Sequence, residues 1–127
     1  MSTKGIIITQ ITNFIDELCS TYKNNNDMNL FREKYNMVKG INSQLIIDYF
    51  IKFIYPHKEV IKNQDENFFL SGGGQEEIND KYGLRLRDNL SNLWTNEMTE
   101  ENKKIVWKYF KTFILLIEKY ISEINKN

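Results

Sequence analysis

The chain has 127 residues, 41% apolar and 27% charged, enough for one domain that folds on its own core without a disulfide or structural metal. Seventeen basic and seventeen acidic residues cancel, which excludes a global field drawing the protein to nucleic acid or an anionic membrane and leaves open only a local basic patch. The lone cysteine, Cys19, excludes an intramolecular disulfide and suits a reducing compartment, while the longest unbroken apolar run, Phe113 to Ile117, is too short to span a bilayer.

Lys4 to Lys23 carries a helical stripe. Ile7, Ile8, Ile11, Phe14, Ile15, Leu18, Cys19 and Tyr22 share a face of about 140°, with Thr9, Asn13, Asp16, Glu17 and Ser20 opposite. The run Ile6-Ile7-Ile8 is interrupted at once by Thr9 and Gln10, so it is no signal-peptide core. The expected location is therefore intracellular, and the glycosylation pattern Asn89-Leu90-Ser91 has no weight.

Asn24-Asn25-Asn26 breaks this helix, and Asp27 is placed to cap a second, shorter one from Met28 to about Val38, closed by Gly40. A third helix follows Asn42 or Ser43. Its apolar residues Leu45, Ile46, Ile47, Tyr49, Phe50, Ile51, Phe53 and Ile54 leave only a narrow polar strip at Gln44, Asp48 and Lys52, which predicts a central position. Pro56 ends that helix or opens a short one through Val60 and Ile61.

Gln64 to Gln75 is the main irregular stretch, with Phe68-Phe69-Leu70 beside Ser71-Gly72-Gly73-Gly74. From Glu76 the helical period returns. Ile78, Tyr82, Leu86, Leu90, Leu93 and Trp94 share a face, with Gly83 as a kink. Thr99 then caps a last helix with Glu100 and Glu101 in its first turn, where the dipole favours acids. In it, Ile105, Val106, Trp107, Tyr109, Phe110, Phe113, Ile114, Leu116, Ile117, Tyr120, Ile121 and Ile124 fill an arc of roughly 200°, too wide for one neighbour. Both Trp94 and Trp107 are expected inside. If the flank formed by Trp107, Ile114 and Ile121 is left uncovered, a symmetric homodimer would bury it.

Catalytic equipment is sparse. His57 is the only histidine and reads as a surface or capping residue rather than a general base. Cys19, at the edge of an apolar stripe with no nearby histidine, reads as a core thiol. One Cys and one His exclude the usual zinc sets. Glu76, Glu77 and Asp80, or Glu97, Glu100 and Glu101, would hold a metal only with help from elsewhere. Ser71-Gly72-Gly73-Gly74-Gln75 lacks the Gly-Lys-Ser/Thr of a phosphate loop and reads as a flexible linker. Phe68 and Phe69 either pin their loop to the core, the preferred reading, or offer a partner contact. Leu115 is a second candidate contact, because it falls within the polar face of the last helix. Lys104, Lys108 and Lys111 line that same face; a solvated stripe is the default and an anion contact the alternative.

The composition has one oddity. Alanine is absent, Ile, Asn and Lys make up roughly a third of the chain, and lysine outnumbers arginine fourteen to three. Ile, Asn and Lys have A/T-rich codons, so the bias is genomic in character and points to an A/T-rich genome: a giant DNA virus, an apicomplexan, a social amoeba or a low-GC bacterium. The segments Asp65-Glu66-Asn67-Phe68-Phe69, Leu93-Trp94 and Asn102-Lys103-Lys104-Ile105-Val106-Trp107-Lys108-Tyr109-Phe110 resemble a group of small uncharacterised helical proteins of nucleocytoplasmic large DNA viruses. The resemblance covers about half the chain, rests on packing residues, and implies a viral origin and a helical fold without an activity.

The expected fold is thus all-α: residues 1–127 as one domain, a small helical bundle of four main helices plus one or two short ones. The expected function is a non-enzymatic protein-interaction module, a virion component or a factor acting on viral or host machinery in the host cytoplasm, with an unknown protein partner and no cofactor. The alternative is a nucleic-acid-binding accessory factor using Lys104, Lys108 and Lys111.

Overall fold

A computed structural model of the protein describes residues 2–70 and 74–126, and among them there is helix and turn but no strand. The chain is all-α. In order come α1 (Thr3–Thr21), α2 (Asn26–Ile41), α3 (Gln44–Phe53), a 3₁₀ turn at Tyr55–His57, α4 (Lys58–Lys62), 3₁₀ turns at Glu66–Phe68 and Gln75–Asn79, α5 (Leu86–Asn96) and α6 (Glu100–Asn125). Among the described residues no helix is long and apolar enough to cross a membrane.

N-cap side chains set the starts of α1, α2 and α6. Ser2 Oγ accepts the Gly5 amide, Asn25 Oδ1 the Met28 amide and Thr99 Oγ1 the Asn102 amide, each satisfying a donor that the first turn leaves free. Asn25 rather than Asp27 opens α2. The helix also runs past Gly40 to Ile41, so it is a full-length element and Gly40 does not end it.

The continuous helix expected from Glu76 does not form. Gln75–Asn79 is one 3₁₀ turn, Gly83 sits at φ +65° and Arg85 at φ +50°, and α5 begins only at Leu86. Ile78 consequently leaves the apolar face and is exposed. Two left-handed residues in three rule out a kinked helix, because an α-helix tolerates none.

α1 and α6 pack antiparallel along their whole length. Thr3 Oγ1 donates to Glu123 at 2.7 Å, Tyr109 Oη donates to Glu17 at 2.5 Å and Asn102 Nδ2 donates to Tyr22 Oη at 2.8 Å, so the register is held at both ends and the middle. Between these ties Phe14 meets Phe110 and Phe113 edge-on. α2 and α3 close the other sides of α1, α5 packs on α2, and α4 on α6. The apolar α3 is central, as its pattern predicts: Ile46, Ile47, Tyr49, Phe50 and Phe53 are all buried.

The second arc of α6 is covered from within the chain. Phe69 stacks on Trp94 at 4.6 Å and touches Trp107 and Phe110, while Phe68 packs on Phe69 and Phe110. Trp94 Nε1 donates to Glu66 at 3.1 Å, and Lys103 lies over the Trp94 ring. Residues from 66–69, 94 and 103–110 therefore meet in one aromatic cluster. Trp107 and Ile114 are buried and Ile121 is partly buried against the core. The flank that would have driven a homodimer is already covered, so that argument for self-association falls. Phe68 and Phe69 likewise pin their loop and present no partner surface, a correction to their place among the contact candidates.

Phe69 is the keystone of this cluster. Phe69→Ala should lower unfolding free energy by about 3–5 kcal/mol in urea denaturation, the cost of a large aromatic cavity with tightly held walls. A loss below about 1 kcal/mol would place Phe69 at a surface.

Candidate functional site

Five polar side chains converge where α3, the Tyr55–His57 turn, the Gln75–Asn79 turn and the start of α5 meet. At the centre are Glu77, fully buried, and Arg87, 2% exposed. Arg87 Nε donates to Glu77 Oε2 at 2.5 Å, and its terminal amine also bonds Glu76. Tyr49 donates to Glu77 Oε1, His57 Nε2 bonds Glu76, and the Arg87 guanidinium lies 4.5 Å from the Phe68 ring centroid.

This cluster starts α5. Arg85, its N-cap residue, offers no side-chain cap. Instead Tyr49 Oη accepts the Leu86 amide at 2.9 Å and Glu77 Oε1 accepts the Arg87 amide at 3.4 Å. A carboxylate thus sits at the positive end of the helix dipole, supplied from nine residues upstream. Gly74 permits the closure, since a Cβ there would stand 3.0 Å from Arg87 Cβ and 3.3 Å from Glu77 Oε2.

The chemistry is that of a satisfied structural centre. Burial and the Glu77 charge push the Tyr49 phenol far up, so it stays a neutral donor. Burial alone would raise Glu76, but the His57 hydrogen bond and the charge and hydrogen bond of Arg87 outweigh it and hold the carboxyl below its usual value. Each side chain of the set has a hydrogen-bond partner within it. Glu76 and Glu77 are spent on Arg87, and Asp80 accepts the Leu84 amide at 2.9 Å. Among the described residues no three His, Cys, Asp or Glu side chains gather to hold a metal ion.

The other expected residues fall apart from one another. His57 is half-buried in the cluster just described. Cys19 is buried, burial pushes its thiol up, and Sγ lies 3.5 Å from the Met28 carbonyl. A protonated, enclosed thiol is no nucleophile. Ser71, Gly72 and Gly73 lie outside the described residues. Lys104 and Lys108 are exposed; Lys111 is half-buried and donates to Gln64 Oε1 at 2.6 Å. Leu115 is 66% exposed on the same line of α6. Beside that line, between α1 and α6, runs an open groove of about 360 Å³ lined by Gln10, Glu17, Ile105, Lys108, Tyr109 and Thr112. Burial and the Glu17 carboxylate push the Tyr109 phenol in its wall up to about 12, so it remains a donor at neutral pH.

A further surface escaped the sequence reading. On α2, Leu30 (63%), Met37 (57%) and Ile41 (64%) are exposed while Met28, Phe31, Tyr35 and Val38 face the core. Spacings of seven and four residues put the exposed three within about 40° of one another. Gly40 lies beside them with nothing within 4 Å of where its Cβ would stand. The signal was present: three large apolar residues off the core face at helical spacing. It is easily absorbed into general hydrophobicity when only the stronger stripe is followed.

Two outcomes follow from the buried pair. Arg87→Met leaves Glu77 buried and unpaired, and should cost about 3–5 kcal/mol in urea denaturation, much of it recovered by adding Glu77→Gln. Simple additivity of the two would show that the pair does not interact. Glu76, held below the ordinary carboxylate value, adds stability that is present above that value and lost as pH falls through its folded-state value. Glu76→Gln should therefore be less stable than the parent at neutral pH, with the gap closing on acidification. A gap that widens toward low pH would contradict this.

No protein-family model matches the chain, and no curated protein or solved structure is significantly similar to it.

Proposed function

We propose that this protein is a non-enzymatic protein-interaction module built as a small helical bundle. The observation that carries the reading is the exposed row Leu30, Met37 and Ile41 on α2. Single exposed apolar residues are ordinary, whereas three aligned on one helix make a surface that gains free energy when a partner covers it. Gly40 adds to the argument. A glycine inside a helix costs about 0.5–1 kcal/mol relative to alanine, and nothing in the chain fills the space beside this one. Close approach of a partner's backbone gives that glycine a use.

The absence of alanine and the Ile/Asn/Lys bias agree with an A/T-rich genome, such as that of a nucleocytoplasmic large DNA virus, and the place of action proposed with that origin is the host cytoplasm or the virion. The nucleic-acid alternative, carried by Lys104, Lys108 and Lys111, is weaker: net charge is zero and neither arginine nor a stacking aromatic interrupts the stripe. If it held, three phosphate contacts would give a salt slope of about −3 on duplex DNA.

The test is affinity capture from cells expressing the wild type or the triple variant Leu30→Glu/Met37→Glu/Ile41→Glu, read by mass spectrometry. Specific proteins held by the wild type should be lost from the variant, whose circular dichroism stays unchanged. Gly40→Ala should raise stability by about 0.4–1 kcal/mol while weakening the same capture. Identical captures from all three proteins would refute an α2 interface.

A further inference from the structure

The outward line of α6 combines charge and an apolar centre in a way the α2 surface does not. Lys104, Lys108, Lys111, Leu115 and Lys119 follow one another at spacings of four, three, four and four. That rhythm keeps them within about 80° of one another over roughly 22 Å of helix. Every ion pair among the described residues lies elsewhere: Lys103, one position off this line, reaches Glu66 and Glu100, but no carboxylate stands within 4 Å of the four amines. Lys111 makes do with the neutral Gln64 amide oxygen. In a chain of zero net charge, this line is a local run of amines without an ion-pair partner among the described residues.

Leu115 decides what suits those amines. It stands between Lys111 and Lys119, 66% exposed. A phosphate backbone offers it no apolar surface. A bilayer needs a broad apolar face to insert, and this line has one leucine. A protein helix satisfies both features, covering Leu115 with an apolar side chain and setting carboxylates against the amines. The groove alongside offers a second apolar contact roughly 15 Å along the helix from Leu115, because Ile105 lines it and is itself 40% exposed.

We propose that the outward face of α6 binds an acidic amphipathic helix of a partner protein, anchored on Leu115 and held by Lys104, Lys108, Lys111 and Lys119. The proposal deepens the reading of the chain as an interaction module and uses a face separate from α2. Long-range attraction speeds the encounter, and the leucine contact sets the register.

The probe is a fluorescent helical peptide of about 20 residues, with glutamates at four- and three-residue spacing and a central leucine. It is titrated into the full chain by anisotropy, alongside duplex DNA and phosphatidylserine vesicles. The peptide should bind more tightly than either, and more weakly as salt rises. Lys108→Glu/Lys111→Glu and Leu115→Ser should each weaken it about tenfold, a loss of about 1.4 kcal/mol, with circular dichroism unchanged. The α2 triple variant should bind the peptide as the wild type does. No peptide binding, tighter binding of DNA or vesicles, or indifference to Leu115→Ser would overturn the proposal. In any of those cases a capture still lost on changing α2 would leave the interaction-module reading standing.

Discussion

The ion pair between Arg87 and Glu77 is the constraint on which the arrangement of the chain's second half depends. Both groups are withdrawn from water, where a lone charge would be very costly. Their mutual bonding, together with Tyr49, His57, Glu76 and the Phe68 ring, leaves each of them satisfied. The gain is positional rather than energetic. Four chain segments that share no continuous helix are brought to one point, and the N-terminus of α5 receives acceptors that its own sequence does not provide.

From that point the apolar core follows in order. Phe68 faces the Arg87 guanidinium on one side and Phe69 on the other; Phe69 stacks on Trp94 and reaches Trp107 and Phe110. Phe110 and Phe113 then meet Phe14 of α1. A path of ring contacts thus runs from the buried ion pair to the α1–α6 pair. This is why α6 can carry so wide an apolar arc. Its second side is closed by an irregular segment held down by two phenylalanines, with no need of a second subunit.

What remains outside is selective. The polar cluster is bonded within itself and the Cys19 thiol is buried. The groups left unspent are apolar side chains on α2 and a row of amines around a leucine on α6. Both are features that a partner satisfies better than water does. Two separate faces of different chemistry agree with the proposal of an interaction module.

The helices themselves were legible in the sequence. Their periodicity, and caps such as Thr99 with Glu100 and Glu101 behind it, act through neighbours three or four positions away, and local spacing carries that information. The same spacing put Trp94 and Trp107 inside and set Lys104, Lys108, Lys111 and Leu115 on one exposed face. Tertiary structure alone decided the segment from Glu76 to Arg85. Its apolar period matches a helix, but Glu77 meets Arg87 and Tyr49 instead, and the left-handed turns at Gly83 and Arg85 carry the chain to them. It decided equally that Phe68 and Phe69 cover α6, because which side of a wide apolar arc is closed, and by what, depends on contacts between residues far apart in the chain.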